Sequence, residues 1–406
     1  MRVRLPGWAR VAAGITVVGW GANQFAALLP VYREALGLPN SFIALAFATY
    51  VVGLVPALFA AAEVADRFDR RWPVRIAVAL AAVASVVLCL GSHEDWLLLL
   101  GRLLSGAAAG AVLGPGTAWV TDLSGDSRPA APRRVAVALS VGFGGGPLVA
   151  GLVAQWAPRP EVVPYALHLI LSVAGAALLW RVPDASPDQE ERTEQAERAV
   201  AARPSSASET GQPQSFRGAI TSRPFLWAIP ATAPWVFGAA TMSFAVVPSV
   251  IRVPGFDAAT AGIVTGITMG AGALVQPLAQ RVELAKKGAA LPVGLAFASL
   301  GMLFAALALA ARSTILMLPT AIALGAAYGV VLVAGLRRTE DLGVPKDRAR
   351  LNAVFYSFTY VGFAQPLVFT VVTTTPTSQT LYAVLGAIVA AATAFCTAIE
   401  TRKSGF

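Results

Sequence analysis

Charged side chains are so sparse in this chain that their positions carry most of its chemistry. Of 406 residues, 13 % are charged and 56 % are hydrophobic. One loop gathers both signs, Glu63-Val64-Ala65-Asp66-Arg67-Phe68-Asp69-Arg70-Arg71, and a lone acid, Asp122, ends a later apolar run. Acids and arginines so spaced make ion pairs that form and break between helix ends, the chemistry of a latch and not of bond cleavage. A further charge, Arg102, stands inside an apolar run, where burial costs about 2.5 kcal/mol or more unless a cavity or partner receives it; a cavity is expected. The third element is Gly142-Phe143-Gly144-Gly145-Gly146-Pro147-Leu148-Val149-Ala150-Gly151. Its glycines allow helix backbones to approach and Pro147 frees a carbonyl, so Gly142, Gly146, Pro147 and Gly151 read as a hinge.

Covalent and metal chemistry find no support in the sequence. Cys89 and Cys396 lie within apolar runs, and His93 and His168 are too few and too scattered for a metal site. A polytopic membrane enzyme would need clustered His, Asp or Glu near one membrane face, and no such cluster occurs. No cofactor is expected.

The elements that position these residues are long and apolar. A spanning helix needs about 20 mostly apolar residues to cross about 30 Å of hydrocarbon. Runs of that kind fall at 9–32, 41–63, 73–92, 96–119, 134–157, 162–182, 225–250, 258–280, 288–311, 314–336, 351–373 and 378–399. They are continuously apolar, whereas barrel strands alternate, so helices are preferred. The first run is too long for a cleaved signal peptide, and Asn23 and Gln24 interrupt it, so it reads as a span.

The net charge of +9 would suggest nucleic acid in a soluble protein, but its placement points to a bilayer. With the N-terminus inside, 26 of the 31 Lys and Arg fall on inside segments and only Arg33, Arg159, Arg252 and Arg312 outside. The positive-inside rule then places a multi-pass protein in the cell membrane with both termini in the cytoplasm.

Residues 184–224 break the apolar pattern with an acidic run and a Ser/Pro-rich stretch, dividing the chain into six-helix bundles at 1–183 and 225–406 joined by a cytoplasmic linker. The halves read as copies. At an offset of 219, Gly106 falls on Gly325, Gly110 on Gly329, Asp122-Leu123 on Asp341-Leu342 and Pro147 on Pro366; at 218, Leu29-Pro30 meets Val247-Pro248.

Asp66, Arg67, Arg70 and Arg71 match the signature loop of the major facilitator superfamily, Gly-x-x-x-Asp-Arg-x-Gly-Arg/Lys-Arg/Lys, with Ala62 and Asp69 where the family has glycine. Arg102 and Gly106 resemble its fourth-helix Arg-x-x-x-Gly signature, and Gly142, Gly146, Pro147 and Gly151 its antiporter signature. The resemblance implies an all-α integral membrane fold of twelve transmembrane helices in two pseudo-symmetric six-helix bundles. It also implies a monomeric secondary transporter similar to bacterial drug and metabolite exporters. On that resemblance Asp66 caps the helix facing the second half and Arg70 bridges to Asp122, with Arg67, Arg71 and Glu63 in the same gate.

The family's geometry directs Asn23, Gln24, Tyr50, Arg102, Trp235, Met242, Gln276, Tyr328, Tyr360 and Gln365 to a substrate cavity. Such a lining suits a small amphipathic compound, a drug or sugar-like metabolite, exported by alternating access with protons as the coupling ion. Coupling has few candidates: apart from Glu63 no acid lies well inside a span, leaving Glu34, Glu63, Asp257 or His168. Uptake or facilitated diffusion of a small solute, and a non-transporting receptor, stand as alternatives.

Overall fold

In lipid every backbone N–H and C=O needs a partner within the protein, and a long apolar segment meets that demand as a helix. The computed structural model describes residues 5–67, 69–92, 94–125, 130–182, 216–342 and 348–403. Much of the linker read at 184–224 and His93 lie outside them, as does the side chain of Asp66.

The first crossing is α1 (Gly7–Ala27) continued by α2 (Leu29–Glu34), broken at Leu28 ahead of Pro30. Then follow α3 (Asn40–Arg67), α4 (Arg71–Leu90) and α5 (Asp95–Asp122). The fifth crossing is α6 (Ala131–Ser140), a π-turn at Val141–Gly145 and α7 (Gly146–Trp156), and the sixth is α8 (Val163–Trp180). After the short α9 (Phe216–Thr221), the seventh crossing is built from α10 (Arg223–Thr232), α11 (Pro234–Thr241), a π-turn at Met242–Val246 and α12 (Val247–Val250). The rest are α13 (Asp257–Ala285), α14 (Ala290–Ala311), α15 (Met317–Leu342), α16 (Arg348–Val361) with α17 (Gln365–Val372), and α18 (Pro376–Lys403).

Eleven of these crossings are long and apolar enough to span a membrane by length and composition among the described residues. The first, more polar crossing completes a twelve-helix layout. Prolines and glycines set the breaks. Ser222 caps α10 by accepting the Phe225 N–H at 3.3 Å, and Gly37 and Gly255 turn the chain at positive φ after α2 and before α13.

Helices α1, α3, α4, α5 and α8 pack together, as do α11, α13, α14, α15 and α18. Glycine decides how close the central pairs come. A Cβ on Gly106 would run into the backbone carbonyl of Tyr50, and one on Gly110 into that of Leu54, so α5 lies backbone to backbone on α3. In the second half Gly325 meets the carbonyl of Thr268 and Gly329 that of Gly272, joining α15 to α13 in the same way. These are the glycines related by the 219-residue offset, and they perform the same task.

The two groups meet where α7 crosses α13, with Gly151 set against Gly262, and where α3 faces α16 and α17. The α7–α13 contact and the ring contacts of Phe47 and Tyr50 lie toward the face opposite the Arg67–Arg71 loop, while nearer the loop Leu58 of α3 clusters with Leu113 and with Ala353 of α16. Below, the loop-bearing side is called the loop face and the other the far face.

Adding a methyl at Gly106 forces overpacking against backbone, which typically costs about 1–3 kcal/mol. Gly114, with nothing within 4 Å of its added Cβ, provides the control. Gly106→Ala should lower the unfolding temperature of the detergent-solubilised protein while Gly114→Ala leaves it unchanged or raises it. Equal behaviour of the two would mean that α3 and α5 are not in backbone contact.

Candidate functional site

The loop that ends α3 holds its charges in short pairs. Arg70 Nη1 donates to Asp122 Oδ2 at 2.7 Å, joining the start of α4 to the end of α5, with the two side chains 38 % and 26 % exposed. A pair so exposed contributes about 0.2–1 kcal/mol, weak enough to be broken and remade. Glu63 pairs with Arg67 one turn on at 2.6 Å, both well exposed.

Asp69, the departure from glycine, has its own task. Its Oδ1 accepts the Arg71 N–H at 2.8 Å and its Oδ2 pairs with the Arg71 guanidinium, capping the entry to α4 without left-handed backbone. Burial pushes this carboxyl up, but the Arg71 hydrogen bonds and the charges of Arg71 and Arg75 outweigh it and hold the pKa below the usual carboxylate value. Beside the loop, a cleft of about 410 Å³ separates Ala62, Ala65 and Arg70 from Asn352, Ala353 and Tyr356 of α16.

A cavity occupies the loop-face half of the molecule. It encloses about 490 Å³ between Leu113, Thr117 and Thr121 of α5, Leu139, Ser140 and Phe143 of the fifth crossing, and Met269, Gln276 and Gln280 of α13. Phe237, Tyr328, Tyr356 and Tyr360 also border it, it adjoins the loop-side cleft along Leu113, Thr117, Leu139, Leu336 and Tyr356, and none of its described lining residues is an acid or a base.

Above the cavity the far-face half is packed shut. Tyr50 and Phe47 of α3 meet Phe363 with ring centroids 5.6 and 5.9 Å apart, and Tyr360 stacks on Phe237 at 4.5 Å. At the far face itself Arg252 reaches Glu34 at 2.9 Å, and Gln155 donates to the Gly255 carbonyl at 2.7 Å while accepting the Ala259 N–H at 3.1 Å. All three contacts join the first half to the second.

The residues read from sequence as substrate contacts divide accordingly. Gln276, Tyr328 and Tyr360 line the cavity. Tyr50 lies in the closed aromatic layer, Met242 is fully buried within the π-turn, and neither Trp235 nor Gln365 lines the cavity described here.

Arg102 does not face this cavity either. It is 1 % exposed within the closed half, donating to the carbonyls of Ala22 at 3.0 Å and Ala46 at 3.4 Å. Its guanidinium lies 4.5 Å from the ring centroid of Phe25 and 4.4 Å from that of Tyr50, so carbonyls and ring faces receive the charge instead of a carboxylate. The reason is its height: Arg102 stands two turns from the far-face end of α5, where the helices are in contact.

Gln24 accepts the Trp20 indole N–H at 3.2 Å, with its own Nε2 buried and without a partner among the described residues. His168 is likewise internal: its Nε2 donates to the Val17 carbonyl at 2.8 Å, so its Nδ1 accepts from Ser85 Oγ at 2.6 Å. Glu34 and Asp257 border a small far-face pocket of about 220 Å³.

Asn23 is engaged with backbone. Pro147 has no N–H for the carbonyl of Phe143, and Asn23 Nδ2 donates to that oxygen at 2.8 Å. The second half repeats the arrangement: Pro366 leaves the carbonyl of Gly362, which Thr241 Oγ1 reaches at 3.2 Å and the Gln365 N–H reaches through a 3₁₀ turn. Asn23 and Thr241 are separated by 218 residues, Phe143 and Gly362 by 219. Close packing accompanies both bonds, with Gly142 on Gly19 and Gly362 on Gly238.

Phe143, Phe237, Thr117, Tyr356 and Gln280 are cavity residues that the sequence reading did not single out. Aromatic residues recur throughout the spans, and only the heights at which the helices part select these.

An unpaired buried carbonyl costs about 1–3 kcal/mol, so Asn23→Leu should lower the thermal stability of the solubilised protein by an amount in that range. Thr241→Val should have the smaller effect, because Gly362 keeps its Gln365 donor. Equal losses for both would indicate that the Phe143 carbonyl has another partner.

Known proteins resemble the chain at two levels. "Multidrug resistance protein MdtL" of Klebsiella pneumoniae (strain 342) is 31 % identical over 110 residues, 27 % of this chain and 28 % of that protein. The MdtL of Salmonella schwarzengrund (strain CVM19633) is 32 % identical over 90 residues, 22 % of each chain. The match thus spans under a third of these relatives' length. In structure, the nucleoside transporter NupG superposes with a TM-score of 0.68 at 14 % identity, covering 98 % of this chain and 100 % of NupG. The peptide transporter POT in complex with sulfate gives 0.73 at 15 % identity, covering 100 % of this chain and 96 % of POT, and at such identities the likeness is one of fold. The family model for the Major Facilitator Superfamily matches residues 11–365, and with the helical layout already described, the chain belongs to that superfamily of membrane transporters.

Proposed function

We propose that this protein exports a small amphipathic compound by alternating access, its loop face lying in the cytoplasm together with both termini. The observation that carries the reading is the asymmetry between a cavity of about 490 Å³ in the loop-face half and a far-face half closed by contacts between the bundles. Such an arrangement admits cargo from one side alone. The excess of Lys and Arg on loop-face segments supports the orientation, and the MdtL relatives support export of drug-like compounds.

In this reading bundles 1–183 and 225–406 rock about their shared interface, linked through 184–224. Closing the loop-face cleft brings Asp66, Arg67, Arg70 and Arg71 toward α16, with Asp122 and Glu63 holding the arginines. Gly142, Gly146, Pro147 and Gly151 let the fifth crossing bend against α1 and α13, where the π-turn has already loosened its helical ladder. Arg102 acts on the closed layer, not on cargo. The carrier works as a monomer and takes protons as its coupling ion.

The uncharged cavity lining favours a second reading, facilitated diffusion without protons, because the described cavity offers no carboxylate to titrate during the cycle.

Inverted membrane vesicles energised acid inside and carrying a pH-sensitive dye separate the two. Antiport predicts dye recovery on adding a transported compound from a panel of drugs and sugar-like metabolites, and loss of that recovery in Asp66→Asn. Equilibration of a labelled compound with no dye response would sink antiport and leave the facilitator; no movement of any compound would sink the transport reading.

A further inference from the structure

We infer that the cavity selects an uncharged molecule with an aromatic body and one amide-like edge, an N–H donor beside a carbonyl acceptor, and that Gln276 reads that edge. This rests on the cavity being the binding site, but on neither the direction of transport nor its coupling.

Charge is excluded by what surrounds the space. No described lining residue is an acid or a base, and Arg70 in the adjoining cleft is already paired with Asp122, so an ion entering would lose its hydration without gaining a free counter-charge, a cost of several kcal/mol for either sign. Aromatic rings could attract a cation through their faces. Here, however, Phe237 and Tyr360 are stacked on each other at 4.5 Å and Tyr360 also stacks on Phe363 at 5.4 Å, which leaves little ring face for a cation at that end of the cavity. Behind them stands a fixed positive charge: Arg102 lies 4.4 Å from the ring of Tyr50, and Tyr50 is 6.2 Å from Tyr360. That charge repels a cation through a low-dielectric layer, while the rings keep an anion from reaching it. Neutral cargo meets neither obstacle.

The polar edge follows from which groups remain available. Thr117, Thr121 and Ser140, on the first-half wall, spend their hydroxyl protons on their own helices at 2.8, 2.9 and 2.6 Å, leaving only acceptor capacity. On the opposite wall neither Gln276 nor Gln280 makes a hydrogen bond to the described protein, but Gln280 is exposed and keeps water as a partner whereas Gln276 is half-buried, so the NH₂ and carbonyl of Gln276 are the pair that a ligand would satisfy. Pro277 adds to this by removing the helical donor for the carbonyl of Ala273, which also lines the cavity. One carboxamide and one freed carbonyl a turn apart match a ligand amide, lactam or ureide, whose N–H and C=O lie side by side. A partner with acceptors only, such as an ether or ester, would leave the Ala273 carbonyl unmet.

Three near-isosteric probes isolate charge: 2-naphthamide, 2-naphthamidinium and 2-naphthoate. Binding of tritiated 2-naphthamide to the purified, detergent-solubilised full chain is measured at pH 7, with the other two as competitors. The inference expects the neutral amide to bind at least tenfold tighter than either ion. Gln276→Leu should weaken it at least tenfold, and Gln276→Glu should weaken the amide while tightening the amidinium at least tenfold relative to the unmodified protein. An unchanged unfolding temperature shows that each variant is folded. Comparable binding of an ion, indifference to both Gln276 variants, or no saturable binding of the amide by folded protein would each overturn the inference. Because the assay uses no gradient, a preserved amide preference alongside failed export would count against export alone. Export of a charged compound would sink the selectivity and leave export standing.

Discussion

A carbonyl that proline deprives of its donor cannot turn to water inside a bilayer, and much of this architecture follows from how those carbonyls are answered. The crossings that bend carry Pro30, Pro147, Pro248 and Pro366, and next to Pro147 and Pro366 a neighbouring helix supplies the missing donor from Asn23 or Thr241. Each donor must come within 3.2 Å of a backbone oxygen, which is feasible only because Gly19 with Gly142, and Gly238 with Gly362, leave no side chain between the helices. Bending and close contact are therefore one feature. A crossing bent in its middle can hold one part against the far-face interface while the other diverges to line a cavity.

The second determinant is where charge is absent. Arg102 is the large cation in the closed half, and its desolvation is met by two carbonyls and two ring faces, each weaker than a carboxylate but all supplied by residues that also seal the aromatic layer. A carboxylate there would hold the arginine more firmly and would also titrate. Its absence leaves the described cavity lining and the layer above it without an acid, so on the far-face side the cavity meets a fixed positive charge screened by tyrosine, and on the loop side the Arg70–Asp122 pair.

Much of the fold was legible because lipid imposes length and continuity on every span: the runs at 73–92 and 288–311 agree closely with α4 and α14. The Arg70–Asp122 pairing was legible through the loop's resemblance to the family signature, and the structure sets Arg70 at the start of α4 against Asp122 at the end of α5. The role of Asp69 was not, since aspartate in place of the family's glycine says nothing of its use until its carboxylate is seen accepting the first N–H of α4.

The cavity was the least legible part. Facing direction can be guessed from helical position, but whether a given height is open or closed depends on how two bundles tilt. Gln276 and Tyr360 border open space while Tyr50, on an equally plausible face, is sealed against Phe363. Asn23 shows a subtler limit. Pro147 announces a needy carbonyl at Phe143, yet nothing in sequence says which polar side chain 120 residues away will answer it.

The internal repeat explains why that answer is not arbitrary. Gly106 and Gly325 keep residue identity across the repeat, because only glycine permits backbone contact there. Asn23 and Thr241 differ in chemistry but stand at the repeat-related position and donate to the repeat-related carbonyl. What persists between the halves is a geometric requirement, a donor at a fixed height on one helix facing a proline-freed oxygen on another. Where the second half met it partly with backbone, through the 3₁₀ turn at Gly362–Ala364, a hydroxyl that also bonds its own helix sufficed. The first half has a π-turn at Val141–Gly145 instead, and there the side-chain donor is an amide, Asn23. The two bundles thus share a plan while differing in how the bend is built, a π-turn with an amide donor in the first half and a 3₁₀ turn with a hydroxyl donor in the second.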